Sequence, residues 1–202
     1  MFWNIVKLGD KQLIMSIKNG FSNLPTDDLE AGEVKTLIAL AIDVYYKTDG
    51  LAKAVGVIFD ALAAAPARVI TCFVNNVPDY EPGAFYKREL PCIQAVLNEA
   101  KDERIDMIII DGYVYLGEYK PGLGDKLWQS INRSTPVIGV AKTSFSDAAD
   151  NVMEVYRGES GKPLYVSAAG IGLEEAALII KRMPGEFRIP TILKHLDVLT
   201  KQ

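Results

Sequence analysis

Two aspartates stand where the sequence predicts apolar strands. Asp43 lies inside the segment IALAIDVYY, and Asp111 directly follows the run IDMIII. Burying a carboxylate inside an apolar strand is unfavourable unless a charge or hydrogen bonds compensate it. On adjacent central strands the two acids would converge at one edge of the sheet. Mg²⁺ binds carboxylate oxygens and keeps waters for chemistry, so the pair predicts a divalent metal site.

Two further acids can join this pair. Glu89 and Glu174 stand at the starts of predicted helices. For either aspartate alone there is a simpler explanation: Asp43 can face solvent on a half-exposed hairpin, and Asp111 can cap a turn, since Asp-Gly is a common turn sequence. The four acids together favour a divalent metal site over these separate explanations. The single histidine, His195, is predicted to lie on the surface of a terminal helix, which argues against a histidine-based triad.

Strands and helices of α/β type must position these acids. The periodicity of apolar residues predicts strands at 36–46 and 51–60, joined by the turn KTDG, and at 68–77, 105–110, 136–141 and 163–171. Helical spacing appears around residues 90–97, 123–131 and 173–183. The continuous apolar run before Asp111 is typical of a central strand that is covered on both faces. The pattern therefore predicts an α/β fold with a mixed sheet.

The composition limits the class of protein. The chain has 202 residues, 49% of them hydrophobic, so we expect one domain, residues 1–202, with a core that needs no disulfides. The net charge of −4 gives no overall basic field, although a local basic groove would not show in that sum. Cys72 and Cys92 have no metal-ligand spacing and indicate a reducing compartment. No apolar run is long enough to span a membrane. We expect a cytoplasmic protein without a membrane partner.

Several segments occur together in a familiar order. They are IALAIDVYY with its hairpin, YEPGAFYKRELP, IIIDGY, TPVIGVAK, KPLYVSAAG and FRIP. The set, over roughly residues 36 to 190, resembles the endonuclease V family. The resemblance implies a ribonuclease H-like fold, with helices on both faces of the sheet, a core over about 34–190 and an N-terminal helical extension over 1–33. It also implies Mg²⁺-dependent cleavage, with Mn²⁺ as a substitute, of DNA or RNA near a deaminated purine, usually inosine.

The resemblance assigns roles to the acids and to one lysine. Asp43 and Asp111 match the principal metal ligands, and Glu89 matches the third acid. Glu174 matches a position where the family usually has an aspartate, so it is expected to complete the metal site. Lys142 of GVAK matches a family lysine near the scissile phosphate, where an ammonium group offsets phosphate charge or orients the attacking water.

The segment PDYEPG matches the family's wedge. Tyr80, with Pro82 and Gly83, would fill the gap that an extruded base leaves in the stack, which offsets part of the cost of extrusion. The alternative is that Tyr80 simply covers a loop.

The loop after Asp111 departs from the family. Tyr113 stands where a histidine is common, and the loop is about two residues longer, so the resemblance does not by itself imply inosine specificity. Gly112, Tyr113 and Lys120 remain candidate substrate-binding residues. Tyr113, Tyr115 and Tyr119 can stack on bases or form a small core of the loop itself. Lys87, Arg88, Lys120 and Lys142 would form a basic rim, although Lys87 and Arg88 can equally be a solvated helix face.

Two alternatives to a nuclease remain open at this point. A nucleic-acid-binding relative without catalysis predicts salt-dependent binding and no metal-dependent cutting. A protein that keeps the fold for protein–protein contact predicts neither binding nor cutting.

Overall fold

A hairpin of two long antiparallel strands begins the sheet. The computed structural model describes residues 36–47, 50–79, 81, 84–117, 120–145 and 151–202. Within the unit 37–202, β1 (Ile38–Tyr46) pairs with β2 (Ala52–Asp60), and β2 pairs with β3 (Arg68–Val74), both antiparallel. The expected N-terminal helix, Tyr80, Pro82, Gly83 and Tyr119 lie outside the described residues. The predicted hairpin is confirmed, but β3 ends three residues early, just before Asn76 at φ 56°.

The other strands extend the sheet beyond β1. β4 (Met107–Asp111) runs parallel to β1, and β5 (Val137–Ala141) runs parallel to β4. β7 (Leu164–Ala169) runs antiparallel to β5, and β6 (Met153–Val155) forms the edge against β7. The order is β3-β2-β1-β4-β5-β7-β6. The mixed sheet is therefore confirmed; β6 was not predicted, because three residues are too few to show an alternating pattern.

Helices cover both faces of this sheet, as predicted. α1 (Tyr86–Glu99) and α2 (Leu123–Ser130) pack on the face that carries Leu40 and Ile42 of β1. α3 (Leu173–Arg182) and α4 (Thr191–Lys201) pack on the face that carries Ala39 and Ala41. Successive residues of a strand point to opposite faces, so β1 contributes to both cores. Strand β4 is buried from Met107 to Ile110, which fits its central position.

Helix α4 extends the core past the predicted limit near residue 190. Its residues Ile192 and Leu196 are 1% and 4% exposed and belong to the core on the α3–α4 face. His195 on the same helix is exposed, as predicted. In the described part of the chain, no helix has the length and apolar character that crossing a membrane requires.

Candidate active site

The structure brings Asp43 and Asp111 together on neighbouring strands. The parallel pairing of β1 with β4 ends at Ile42 opposite Ile110, so the two aspartates are the next residues in register. In-register residues of parallel strands point to the same face. Both aspartates line one cavity, on the face that α4 covers. The carboxylates of the two aspartates thus lie side by side at the edge of the sheet where the parallel pairing of β1 and β4 ends.

Lys142 lies beside this acid pair. Asp111 pairs with Val140 of β5, and Lys142 follows two residues later on the same side of the sheet. Its Nζ donates a hydrogen bond of 2.8 Å to Asp111 Oδ2, and both side chains are 48% exposed. Partial burial acts to lower the pKa of Lys142, but the hydrogen bond and charge of Asp111, with the charges of Asp197 and Asp43, raise it. Lys142 is therefore a fixed positive charge among acids.

Glu89 reaches the same edge from the opposite face of the sheet. It lies in the first turn of α1, is 7% exposed, and accepts a 2.8 Å hydrogen bond from the Tyr46 hydroxyl. Burial raises the pKa of Glu89 to about 7, and the charges of Asp43 and Asp111 add to this effect against the Tyr46 hydrogen bond. A second cavity is lined by Glu89 and both aspartates. The three acids thus form one electrostatically coupled group.

Asp43 has a partner on α4. The Thr200 hydroxyl donates a 2.7 Å hydrogen bond to Asp43 Oδ2. Burial raises the pKa of Asp43; the Thr200 hydrogen bond opposes this, and the charge of Asp111 adds to it. The neighbouring aspartate therefore makes the ionised form of Asp43 less favourable, and a cation at this position would relieve that repulsion.

Asp197 on α4 belongs to this site although the sequence did not reveal it. It lines the cavity that contains Asp43 and Asp111. A hydrogen bond from Lys201, 2.7 Å away, lowers the pKa of Asp197; burial opposes this, and the charges of Lys201, Lys142 and Lys194 add to the lowering. The terminal helix itself was predicted, but its sequence does not show which strands Asp197 faces.

The prediction that Glu174 joins the acids is wrong. β7 runs antiparallel to β5, and its last residue, Ala169, pairs with Val137 at the beginning of β5. The chain therefore leaves β7 at the edge of the sheet opposite to Asp111. Glu174 follows there, exposed, in the first turn of α3.

The loop after Asp111 forms one wall of the cavity that contains Glu89. Gly112, at φ 129°, and Tyr113 both line this cavity. The Tyr113 hydroxyl donates a hydrogen bond to the Thr143 carbonyl, and its ring centroid lies 6.2 Å from that of Phe145. Tyr115 instead packs into the core beside α1 and α2. The loop thus places one tyrosine at the site and uses another for packing.

The predicted basic rim is only partly present. Lys87 is exposed and forms an ion pair with Glu81, as a solvated helix face would. Arg88 places its guanidinium carbon 4.0 Å from the centre of the Tyr46 ring, next to Glu89. Lys120 is exposed, and the cavities that contain the acids do not include it. Of the four predicted rim residues, Lys142 has a direct contact with an acid of the site, its hydrogen bond to Asp111. Lys201 of α4, which was not predicted, bonds to Asp197.

The donor chemistry of the site suits a hard divalent cation. The carboxylates of Asp43, Asp111, Glu89 and Asp197 offer only oxygen, as Mg²⁺ prefers. Within the described ranges, no three Asp, Glu, His or Cys side chains converge closely enough to form a ready-made metal site. Asp43 and Asp111, with their coupled charges, are therefore the pair best placed to hold an ion.

Known proteins resemble this chain over most of its length. The family model for endonuclease V matches residues 23–198. Endonuclease V proteins from two strains of Thermus thermophilus are 31% identical over 183 residues, 78% of this chain and 79% of theirs.

Solved structures show the same fold. Endonuclease V from Ciona intestinalis, solved with a DNA that contains an inosine followed by a ribo-adenosine, matches with a TM-score of 0.68 at 21% identity, over 83% of this chain and 85% of that one. The catalytic domain of human endonuclease V matches with a TM-score of 0.66 at 17% identity, over 83% and 82%. These neighbours confirm the ribonuclease H-like fold.

Proposed function

We propose, because this chain belongs to the endonuclease V family, that it is a metal-dependent endonuclease that hydrolyses a phosphodiester bond in nucleic acid. One observation carries the proposal. Asp43 and Asp111 stand in register on adjacent parallel strands, and Lys142 is bonded to one of them. Oxygen ligands and a nearby ammonium group are what the hydrolysis of a phosphodiester requires.

Each acid of the site and Lys142 has its own role in the proposed reaction. Asp43 and Asp111 would hold Mg²⁺, or Mn²⁺ as a substitute, and Glu89 and Asp197 would complete the acid group around it. A divalent ion held there would supply Lewis-acid stabilisation of the phosphoryl oxygens and a more acidic water. Lys142 offsets negative charge on the scissile phosphate from a fixed position. In the free protein the Lys142 ammonium group is bonded to Asp111, so a bound phosphate would compete with Asp111 for it.

The substrate we propose is DNA or RNA that contains a deaminated or otherwise modified base. The Ciona relative was solved with inosine-containing DNA. In this chain Tyr113 lines the cavity beside Asp43 and Glu89, so the base next to the cleaved bond would meet an aromatic ring. An aromatic ring can stack on any base, which favours a broader choice of bases than inosine alone.

A second candidate function is nucleic-acid binding without cleavage. Two observations favour it: Lys142 already neutralises Asp111, and no three acids of the described chain converge as a ready-made metal site. This candidate predicts binding that weakens as the salt concentration rises and no cleavage with either metal.

The test is cleavage of inosine-containing single-stranded DNA and RNA with Mg²⁺ or Mn²⁺, together with oligonucleotides that carry other modified bases. The wild type is compared with Asp43→Ala and with Asp102→Ala, which removes an exposed acid outside the site. We expect cleavage by the wild type and by Asp102→Ala, and none by Asp43→Ala. Equal cleavage by all three proteins would contradict the role of Asp43. Salt-dependent binding without cleavage would support the second candidate.

A further inference from the structure

A buried threonine on α4 contacts Asp43, one member of the acid pair. Ile192, Leu196 and Thr200 are one turn apart on the buried face of the helix and are 1%, 4% and 1% exposed. Ile192 and Leu196 pack in the core, whereas Thr200 places a hydroxyl group on the same buried face of the helix. A buried hydroxyl without a partner is destabilising, so its hydrogen bond is part of the fold.

The hydroxyl of Thr200 has three acceptors within reach and one proton. Its Oγ1 lies 2.7 Å from Asp43 Oδ2, 2.9 Å from the Leu196 carbonyl oxygen and 3.1 Å from the Asp197 carbonyl oxygen. Threonine within a helix commonly bonds to a carbonyl one turn back. Here the carboxylate is both the closest acceptor and a charged one, and charge-assisted hydrogen bonds are the stronger kind. The Thr200 hydroxyl therefore donates its hydrogen bond to Asp43.

The turn of α4 that carries Thr200 is anchored to the sheet by a separate contact. Lys53 Nζ donates a 2.7 Å hydrogen bond to the Leu199 carbonyl oxygen. Lys53 lies on β2 and pairs with Tyr45 of β1. Tyr45 is two residues after Asp43 on the same strand. The hydroxyl is thus presented to Asp43 from a point whose position does not depend on Asp43 itself.

The backbone of Asp43 is held in the sheet. Strand β1 pairs with β2, where Asp43 lies opposite Val55, and with β4 as far as Ile42. The Thr200 hydroxyl on α4 then holds one oxygen of the side chain, Oδ2. A carboxylate that is held both through its backbone and at one oxygen has less rotational freedom, which helps to place the other oxygen accurately towards a ligand.

We propose that Thr200 is a positioning residue, which orients the carboxylate of Asp43 for metal binding and cleavage. This inference rests on the proposed function, since it assigns Asp43 a ligand's role. Hydrogen-bond partners of metal ligands affect metal affinity or activity by about 10–100-fold when removed.

The test compares Thr200→Val, Thr200→Ser and Thr71→Val with the wild type in the full-length protein. Valine has nearly the shape of threonine but no hydroxyl, and serine restores the hydroxyl. Thr71 is an exposed threonine of β3, which strand β2 separates from Asp43. The affinity for Mn²⁺ is measured without substrate, from the paramagnetic resonance signal of the free ion, and kcat and KM are measured with the cleaved oligonucleotide.

We expect Thr200→Val to weaken Mn²⁺ binding and to lower kcat about tenfold or more, with KM for the oligonucleotide nearly unchanged. Thr200→Ser should recover most of both quantities, and Thr71→Val should match the wild type. Thermal unfolding reports whether each variant is folded; if Thr200→Val is not, Thr200→Ala, which cannot overpack the site, takes its place.

Equal Mn²⁺ affinity of Thr200→Val and the wild type would overturn the proposal. A wild type that binds Mn²⁺ but cuts no nucleic acid would overturn the proposed function alone, because the ratio of Mn²⁺ affinities still decides the role of Thr200. A wild type that does not bind Mn²⁺ would overturn both.

Discussion

Lys142 Nζ and Asp111 Oδ2 lie 2.8 Å apart and join the ends of two neighbouring parallel strands, β5 and β4. The pair is half-exposed, so its contribution to stability is small, in the range of surface ion pairs. Because the ion pair lies next to Asp43, we expect it to act in the proposed reaction rather than in stability. In the function that we propose, the ammonium group would lie beside the scissile phosphate when the two aspartates bind a cation.

Replacing Lys142 by methionine should lower kcat about 100-fold, because the charge that offsets the scissile phosphate is removed while the aliphatic part of the side chain is kept. Lys162→Met, at an exposed lysine in the turn before β7, is the control and should cleave normally. Single-turnover cleavage rates measure the difference. Equal rates for the two variants would mean that Lys142 does not act on the phosphate.

Asp197 and Glu174 give opposite expectations. Asp197→Asn should lower the cleavage rate about tenfold, because this acid lines the cavity of Asp43 and interacts with Lys142. Glu174→Gln should leave the rate unchanged, because Glu174 is exposed at the far edge of the sheet. Cleavage rates at saturating Mg²⁺ test both variants. The reverse pattern would show that the acid group has been assigned to the wrong helix.

Gly139 allows the loop after Asp111 to lie close to β5. A Cβ at this position would lie 2.5 Å from the Gly112 carbonyl oxygen and 2.7 Å from Ser167 Oγ, which accepts a hydrogen bond from the Val114 N–H. Gly139→Ala should therefore displace the loop and destabilise the protein by about 1–3 kcal/mol. Cleavage should fall as well, because Gly112 and Tyr113 line the site.

Gly161→Ala is the matched control for Gly139→Ala, since a Cβ there meets open space. Denaturant unfolding should give the same midpoint for Gly161→Ala and the wild type. If the midpoint for Gly139→Ala is also unchanged, the loop does not pack against β5 as described.

The parts of this site that follow from local pattern could be predicted from the sequence. The apolar runs before Asp43 and Asp111 indicated central strands, and residues that end neighbouring parallel strands meet at one edge. That reasoning found the acid pair without knowledge of the fold. Glu89 was added because it starts a predicted helix and matches the family's third acid, and Lys142 was added because the segment GVAK matches. The structure places both residues beside the pair.

The direction of a strand is not visible in its sequence. Glu174 was assigned to the site because it starts a predicted helix and matches a family aspartate. The strand before that helix, β7, runs antiparallel to β5, so the helix begins at the other edge of the sheet. Asp197 and Thr200 were missed for a related reason. The helical spacing of α4 shows that it has a buried face, but only the packing of α4 on β1 decides that this face meets Asp43.

The central claim is that Asp43 and Asp111 share one cation, and anomalous diffraction from crystals soaked in Mn²⁺ tests it most directly. The account predicts a single strong peak in contact with carboxylate oxygens of both residues, and its loss in Asp43→Asn crystals treated in the same way. A peak that touches neither carboxylate, in crystals of a protein that cleaves nucleic acid, would contradict it.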